Sequence, residues 1–339
     1  MDDLLTGLRA AGEPTRLRLL AILTKSELTV TELTQILRQS QPRVSRHLKL
    51  LCEAGLLDRF REGSWVFYRR SQNGAGNKLV NSLVTLIPKE DSVIARDLER
   101  LDAVRAARTE RAAEFFRMNV DEWNRMRSLH VPEAKVEQAI LELGHRSDLP
   151  IGSAIENFVD LGTGTGRMIE LLGPQAKNSL GIDLSSEMLA FARARLDQVG
   201  IEHCSLRQGD LYDLPVVDET VDLVTVHQVL HYTDDPAAAV LEAGRILKPG
   251  GRLLIVDFAP HEFDFLRNEQ AHRRLGFSED EVKSWLDVAG LEIREIRRLP
   301  PPEGDEGAIL TVMIYAADKP GVDNDNNQQR STELEDTRA

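Results

Sequence analysis

From Ile155 onward the chain repeats one pattern: an apolar run, a glycine-rich or acidic turn, then an amphipathic segment. The apolar runs are ENFVDLG, SLGIDLS, HCSLRQGD, VDLVTVH and RLLIVDF. Such alternation of strand and helix predicts a parallel sheet covered by helices on both faces. Two more strands, LEIREIRRL and AILTVMIYAA, follow with no helix between them. They predict an antiparallel hairpin at one edge of what becomes a seven-stranded Rossmann-like sheet. The last twenty residues are rich in Asn, Gln, Asp and Thr, have no apolar pattern, and are expected to be disordered.

That sheet accounts for about half of 339 residues, so a second domain is expected before it. Apolar positions Leu4, Leu8, Leu17, Leu20 and Ile22 recur at helical spacing and are interrupted by Pro14. Thr29 and Glu32 form the signature of a capping box for a short helix, Val30 to Leu37. Arg38-Gln39-Ser40 is the turn. Pro42 sits at the next helix start, where its missing N–H costs nothing. LLDRFREGSWVFYRR then alternates like a hairpin with Glu62-Gly63-Ser64 at its tip. Helix, turn, helix and two-stranded wing make a mainly α winged helix-turn-helix.

Charge separates the two regions. The net charge of -13 argues at first against nucleic acid, yet residues 1–75 hold twelve Lys/Arg against eight Asp/Glu, leaving -17 for the rest. A basic head on an acidic body is expected if only the head meets phosphate. Two solvated surfaces of different composition would give the same numbers. The second helix presents Gln41, Arg43, Ser45, Arg46, His47 and Lys49 as polar faces, while Val44, Leu48 and Leu51 point inward. Arg to guanine and Gln to adenine are the base pairings such a face allows. Arg61, with Arg59, Arg69 and Arg70, would meet phosphates from the wing.

AAGEPTRLRLLAIL, VTELTQIL, SQPRVSRHLKLLCEAGLL and REGSWVFYR together resemble the ArsR/SmtB family of winged-helix repressors over residues 5–72. The resemblance implies a homodimer on a two-fold symmetric double-stranded DNA operator, usually released by a ligand. Metal-sensing members often place cysteines in the first helix of the helix-turn-helix, and ELTQIL has none. With Cys52 alone, thiolate sensing lacks ligands, and no metal site is expected.

Asp160-Leu161-Gly162-Thr163-Gly164-Thr165-Gly166 follows an apolar strand and precedes a helix, so its glycines let backbone approach a ligand. Alone this turn is weak, because dinucleotide enzymes use one too. Asp183 ends the next strand, where a carboxylate can hold both ribose hydroxyls; that fits NAD as well. Three features separate the possibilities: the G-x-G-x-G spacing, Asp210 ending the third strand in QGDLYDLP, and LKPGG before the fifth.

VDLGTGTG, GIDLSSEMLAFAR, GDLYDLP, VDLVTVHQVLHY and ILKPGGRLLIVDF in order resemble class I S-adenosylmethionine (SAM)-dependent methyltransferases, in particular relatives of the ubiquinone/menaquinone-biosynthesis enzymes. The resemblance implies SAM or S-adenosylhomocysteine as cofactor. Gly162 and Gly164 would line its methionine part, with Asp160 helping to fix the ammonium. Asp183 would bind the ribose, Leu184 and Met188 would flank the adenine, and Asp210 with the backbone of Leu211 would read its edge. His227 and Gln228 would sit near the sulfonium. Methyl transfer needs alignment more than a base; His227 and His231 are the candidates if one is used, and a structural histidine is the other reading. Phe115, Trp123 and Arg127 are candidates for a lid.

These expectations divide the chain into a DNA-binding head (1–75), a helical dimerisation and lid region (76–130), a methyltransferase domain (131–319) and a tail (320–339). No apolar run approaches the roughly 20 residues of a membrane helix, and MDDLLTGLRAAGEPTR lacks the form of a secretory signal; a cytoplasmic protein without membrane partners is expected. Two functions follow. One is a dimeric transcriptional regulator whose ligand-binding domain modulates operator binding. The other is an active methyltransferase of a small molecule with an autoregulatory head. Arsenic methylation fits poorly, because it needs several thiolates and this domain holds only Cys204.

Overall fold

A computed structural model of the chain describes residues 1–62, 65–71, 74–88, 90–108, 110, 132–144, 155–201, 204–266, 272–301 and 310–321. Contacts group the chain into two compact units. The first holds the N-terminal residues together with 163–174 and 178–210; the second holds the remainder.

The first unit begins with α1 (Asp2–Ala11) and α2 (Pro14–Leu23). Pro14 opens α2, and the Glu13 carboxylate caps it by accepting the Arg16 N–H at 2.9 Å. β1 (Leu28–Thr29) leads into α3 (Val30–Leu37), whose capping box between Thr29 and Glu32 is complete in both directions. Arg38, in the left-handed region at φ 52, ends α3 and turns the chain into α4 (Gln41–Glu53). The wing is β2 (Leu57–Glu62) and β3 (Trp65–Arg70), with β1 on the other side of β3. α5 (Gly74–Thr85) and a helix over 92–108, α6, follow.

The core of this helical region is one cluster. Leu19, Leu20, Leu33, Ile36, Val44, Leu48 and Leu51 are fully buried, as the helical periodicity requires, and Val80 of α5 and Leu101 of α6 join them. Asp97 of α6 is fully buried too. Its carboxylate accepts both the Nε and Nη2 of Arg18 at 2.5 and 2.8 Å, and the Nη1 of Arg100 at 3.2 Å. A buried charge is tolerated only when paired in this way.

The same unit contains α8 (Arg167–Leu172), most of β5 (Ala176–Asp183), α9 (Ser186–Val199) and β6 (Cys204–Gln208). β5 and β6 are parallel, and α9 connects them.

The second unit contains α7 (Glu133–Gly144), β4 (Ile155–Leu161), β7 (Val221–His227), α10 (Pro236–Ile246) and β8 (Leu247–Phe258). α11 (Glu279–Val288), β9 (Glu292–Leu299) and β10 (Val312–Asp318) complete it. β4, β7 and β8 are parallel; β10 is antiparallel to both β8 and β9. The strand order of the seven-stranded sheet is β6-β5-β4-β7-β8-β10-β9, the expected α/β architecture with its antiparallel edge. β10 is paired on both sides and buried at every residue, whereas β9, at the edge, alternates Arg and Glu with apolar residues. Charges on an exposed edge discourage pairing with another chain.

Among the described residues no helix is long and apolar enough to cross a membrane. Phe115, Trp123 and Arg127 lie outside the described residues, as does 322–339.

Candidate functional site

On the DNA-reading side, α4 turns Val44, Leu48 and Leu51 into the core, and this orients the rest of the helix. Gln41, Arg43, Arg46 and Lys49 are exposed, and Ser45 is half-buried. His47 is half-buried as well: its Nδ1 lies 3.6 Å from the Glu13 carboxylate, and burial holds its pKa below the ordinary value. It packs against the start of α2 while the arginines face outward.

The wing has two faces. Arg59 and Arg61 are exposed. Arg69 is turned inward, where its Nη1 donates to Ser205 Oγ at 2.7 Å and lies 3.7 Å from Glu27. Arg61 is thus open to solvent, whereas Arg69 is engaged within the protein.

In the part of this unit that carries β5, α9 and β6, Asp183 ends β5. Its Oδ2 accepts the Gly164 N–H at 2.8 Å and its Oδ1 accepts the Ser185 N–H at 2.9 Å. Burial raises the Asp183 pKa, and these backbone N–H groups oppose that rise. Each oxygen keeps a second lone pair, so the carboxylate can still accept two hydroxyls. Gly164 and Gly166 both lie in the left-handed region that favours glycine. Ser185 then caps α9 through the Met188 N–H at 3.1 Å. Leu184 is 70% exposed, an apolar side chain left in solvent beside the carboxylate, and Met188 is half-buried. Asp210 is exposed at the end of the unit. A carboxylate with spare acceptors next to an exposed apolar side chain fits a nucleoside.

In the second unit Asp160 is buried at the end of β4 and accepts the Thr225 hydroxyl at 2.6 Å. Gly162 follows at φ +67, and a Cβ there would overlap the Val229 side chain, so only glycine fits. His227 ends β7, half-buried, with Gln228 after it at φ 53. A non-glycine residue in that region is uncommon and frequent at ligand sites. Leu211 is half-buried.

His231 is buried in the short 3-10 turn Leu230–Tyr232. Its Nδ1 lies 2.8 Å from Asp257 Oδ1; a carboxylate only accepts, so Nδ1 holds the proton. Its Nε2 is buried with no hydrogen-bond partner among the described residues. The His272 ring lies 4.2 Å away, is itself buried, and has no partner on either nitrogen among the described residues. Burial lowers the His272 pKa to about 4, so this ring is neutral near pH 7.

The sequence pointed to His231 but not to Asp257 or His272. Asp257 had a readable signal, an acid closing the apolar strand RLLIVDF. His272 had none, because only the fold brings it to His231. The two cysteines are free and apart in sequence, with thiol pKa values pushed up by burial to about 11 at Cys52 and about 12 at Cys204. Neither is a thiolate at neutral pH, and among the described residues no cluster of three metal-ligating side chains occurs.

Residues 13–59 match the bacterial regulatory proteins of the arsR family, and residues 159–255 match a methyltransferase domain. The chain joins an ArsR-type helix-turn-helix to a methyltransferase domain. The uncharacterized methyltransferase YcgJ of Bacillus subtilis is 32% identical over 110 residues, covering 32% of this chain and 44% of that protein. The arsenite methyltransferase of Halobacterium salinarum is 30% identical over 151 residues, covering 42% of this chain and 38% of that protein. The chain thus spans less than half the length of either relative. The solved structure of B. subtilis YcgJ matches with a TM-score of 0.42 at 21% identity, over 50% of this chain and 94% of that one.

Proposed function

We propose that the chain is a dimeric DNA-binding transcriptional regulator whose methyltransferase domain binds SAM or S-adenosylhomocysteine and thereby modulates operator binding. The observation that carries this reading is that the reader helix α4 and the Asp183 turn belong to one compact unit. Gln41, Arg43, Ser45, Arg46 and Lys49, with Arg61 on the wing, meet the DNA in this reading. Asp183 takes the ribose hydroxyls, Leu184 and Met188 flank the adenine, and Asp210 with Leu211 reads its edge. Asp160, Gly162, Gly164, His227 and Gln228 serve the methionine part and the sulfonium. Self-association is supported by α1, whose Leu4, Leu5 and Leu8 are 40–45% exposed side by side on one helix, and contiguous exposed apolar surface marks interaction sites.

A second reading, methyl transfer to a small molecule, is favoured by the His231–Asp257 pair, whose Nε2 has no partner among the described residues. The ligand would supply a methyl group already activated on a sulfonium. The protein would align the acceptor and exclude water, with His231 as the candidate proton acceptor. The raised thiol pKa values of Cys52 and Cys204 give no support to an arsenic acceptor.

The test is titration of the promoter DNA beside the chain's own gene, with no ligand, with SAM and with S-adenosylhomocysteine. The regulatory reading expects operator affinity to change about 5- to 150-fold with ligand, the range of typical coupling. Equal affinity in all three states, together with steady release of S-adenosylhomocysteine on adding an acceptor, would replace it by the enzyme reading. Asp183→Ala should weaken S-adenosylhomocysteine binding at least about tenfold, since a hydrogen bond to a charged group contributes about 1.5–3 kcal/mol.

A further inference from the structure

Two struts leave the Asp183 turn and end on the DNA-reading head, all within the first unit. One is α9, which starts at the Ser185 cap and ends with Asp197 in its last turn. Fourteen residues make it about 21 Å long. The other is β6, whose far end is fastened to the turn by Gly209 N–H to Asp183 O at 3.1 Å and Gln208 Nε2 to Leu184 O at 2.8 Å.

At the head, α9 is held through charge. Asp197 accepts Arg108 Nη1 at 3.3 Å and Ser26 Oγ at 3.4 Å, and lies 3.3 Å from Arg105. Arg108 in turn grips Glu32 with its Nε at 2.8 Å and its Nη2 at 2.9 Å. Glu32 is the capping-box residue of α3, so the same carboxylate that starts the first helix of the reader is tied to the last turn of α9. Burial of Arg108 would lower its pKa, and the Glu32 and Asp197 carboxylates more than offset this.

β6 is held through rings and charge. Phe60 and Phe67 of the wing stack at 5.6 Å. The Arg207 guanidinium of β6 lies 3.4 Å over Phe60, and α9 adds that of Arg193, 4.1 Å over Phe67. Glu27, just before β1, accepts Arg207 Nη1 at 3.0 and 3.2 Å and lies 3.7 Å from Arg69. Guanidinium over an aromatic face is attractive, and more so when water is excluded.

From this arrangement we infer that the wing and α3 are clamped to α9 and β6, and that nucleotide binding at Asp183 is relayed to the DNA reader through this clamp. The inference rests on the proposed S-adenosyl ligand at Asp183. The clamp leaves α4, Arg59 and Arg61 outside it, so closing it does not cover the reading face. Its effect is to fix the wing and α3 relative to the ribose turn. A ligand can act this way only if it binds the clamped state more tightly than the released one. Ordering of Asp183, which holds the N-terminus of α9 through Ser185, supplies that difference.

The test is hydrogen–deuterium exchange of the full chain with and without S-adenosylhomocysteine, with ligand binding followed in parallel by calorimetry. Saturating ligand should slow exchange in Leu57–Glu62 and Trp65–Arg70 at least about threefold. Arg207→Gln and Asp197→Asn should bind the ligand as the natural chain does and lose the slowing. The comparison of the natural chain with and without ligand stands even if a variant folds poorly. Ligand bound with wing exchange unchanged, or slowing that persists in both variants, overturns the clamp. No ligand binding by calorimetry overturns the pocket assignment and the relay with it. Slowing of the wing without any change in operator affinity supports the relay and removes the regulatory reading instead.

Discussion

The Nδ1 of His231 and the Oδ1 of Asp257 are 2.8 Å apart, and both residues are at least 97% buried. Asp257 also accepts the Phe258 N–H at 2.8 Å, so its orientation is fixed independently of the histidine. Asp257→Ala should strand a buried donor and cost about 1–3 kcal/mol in urea denaturation. Asp257→Asn keeps an acceptor oxygen in the same place and should recover much of the loss. Equal losses in the two variants would show that the negative charge matters, and neither the side chain's volume nor an acceptor oxygen as such.

His272 makes the fold acid-sensitive. Its pKa is lowered to about 4 in the folded chain from an unfolded value of 6.5, so between those values the unfolded chain binds the extra proton. Stability from this group is present above pH 6.5 and is lost as pH falls toward 4, by about 3 kcal/mol in all. Thermal melts should therefore fall steeply from pH 7 to pH 4.5. His272→Phe, which preserves a ring beside His231 and Phe258 and has no proton to take up, should flatten that dependence. A parallel decline in the variant would assign the acid sensitivity to other groups.

Arg61 and Arg69 sit on the same wing and should behave differently on DNA. Arg61→Ala should reduce the slope of log affinity against log salt by about 1, as loss of one phosphate contact does. Arg69→Ala should leave that slope unchanged, because its guanidinium is engaged by Ser205 and Glu27. Arg43→Ala and Arg46→Ala should each weaken specific operator binding, by about 1–3 kcal/mol where a base contact is lost, without altering S-adenosylhomocysteine affinity. Band-shift titrations at two or more salt concentrations separate these outcomes; identical slopes for the two wing variants would contradict the wing assignment.

The exposed leucines of α1 should mark the dimer contact. A charge placed in a buried interface is costly, so Leu4→Glu with Leu8→Glu should shift light-scattering mass toward the monomer at micromolar concentration. A natural chain that is already monomeric there while binding operator would remove the dimer from the proposal.

Local chemistry was legible in the sequence, and contacts made at a distance were not. The Thr29–Glu32 box, the inward positions of Val44, Leu48 and Leu51, and the strand pattern with its antiparallel edge all follow from spacings of a few residues. Arg69 looked like any wing arginine, because nothing nearby in sequence announces Ser205 as its partner. Glu32 was readable as a helix cap but not as the counter-ion of Arg108, 76 residues later. Phe60 and Phe67 fitted the hairpin alternation, while the guanidiniums of Arg193 and Arg207 that cover them belong to a different part of the chain.

Asp97 and its two arginines bear on where the head ends as a unit of unfolding. The carboxylate, carried by α6, is sealed from water, and its strongest partner, Arg18, belongs to α2 near the start of the chain. Cutting the chain just after the wing would leave Arg18 without its counter-ion and would remove Val80 and Leu101 from the hydrophobic cluster. A fragment chosen by the reach of the helix-turn-helix and wing alone would therefore be a poor stand-in for the DNA reader. The smallest cooperative piece that keeps this lock is one whose C-terminal boundary lies past α6.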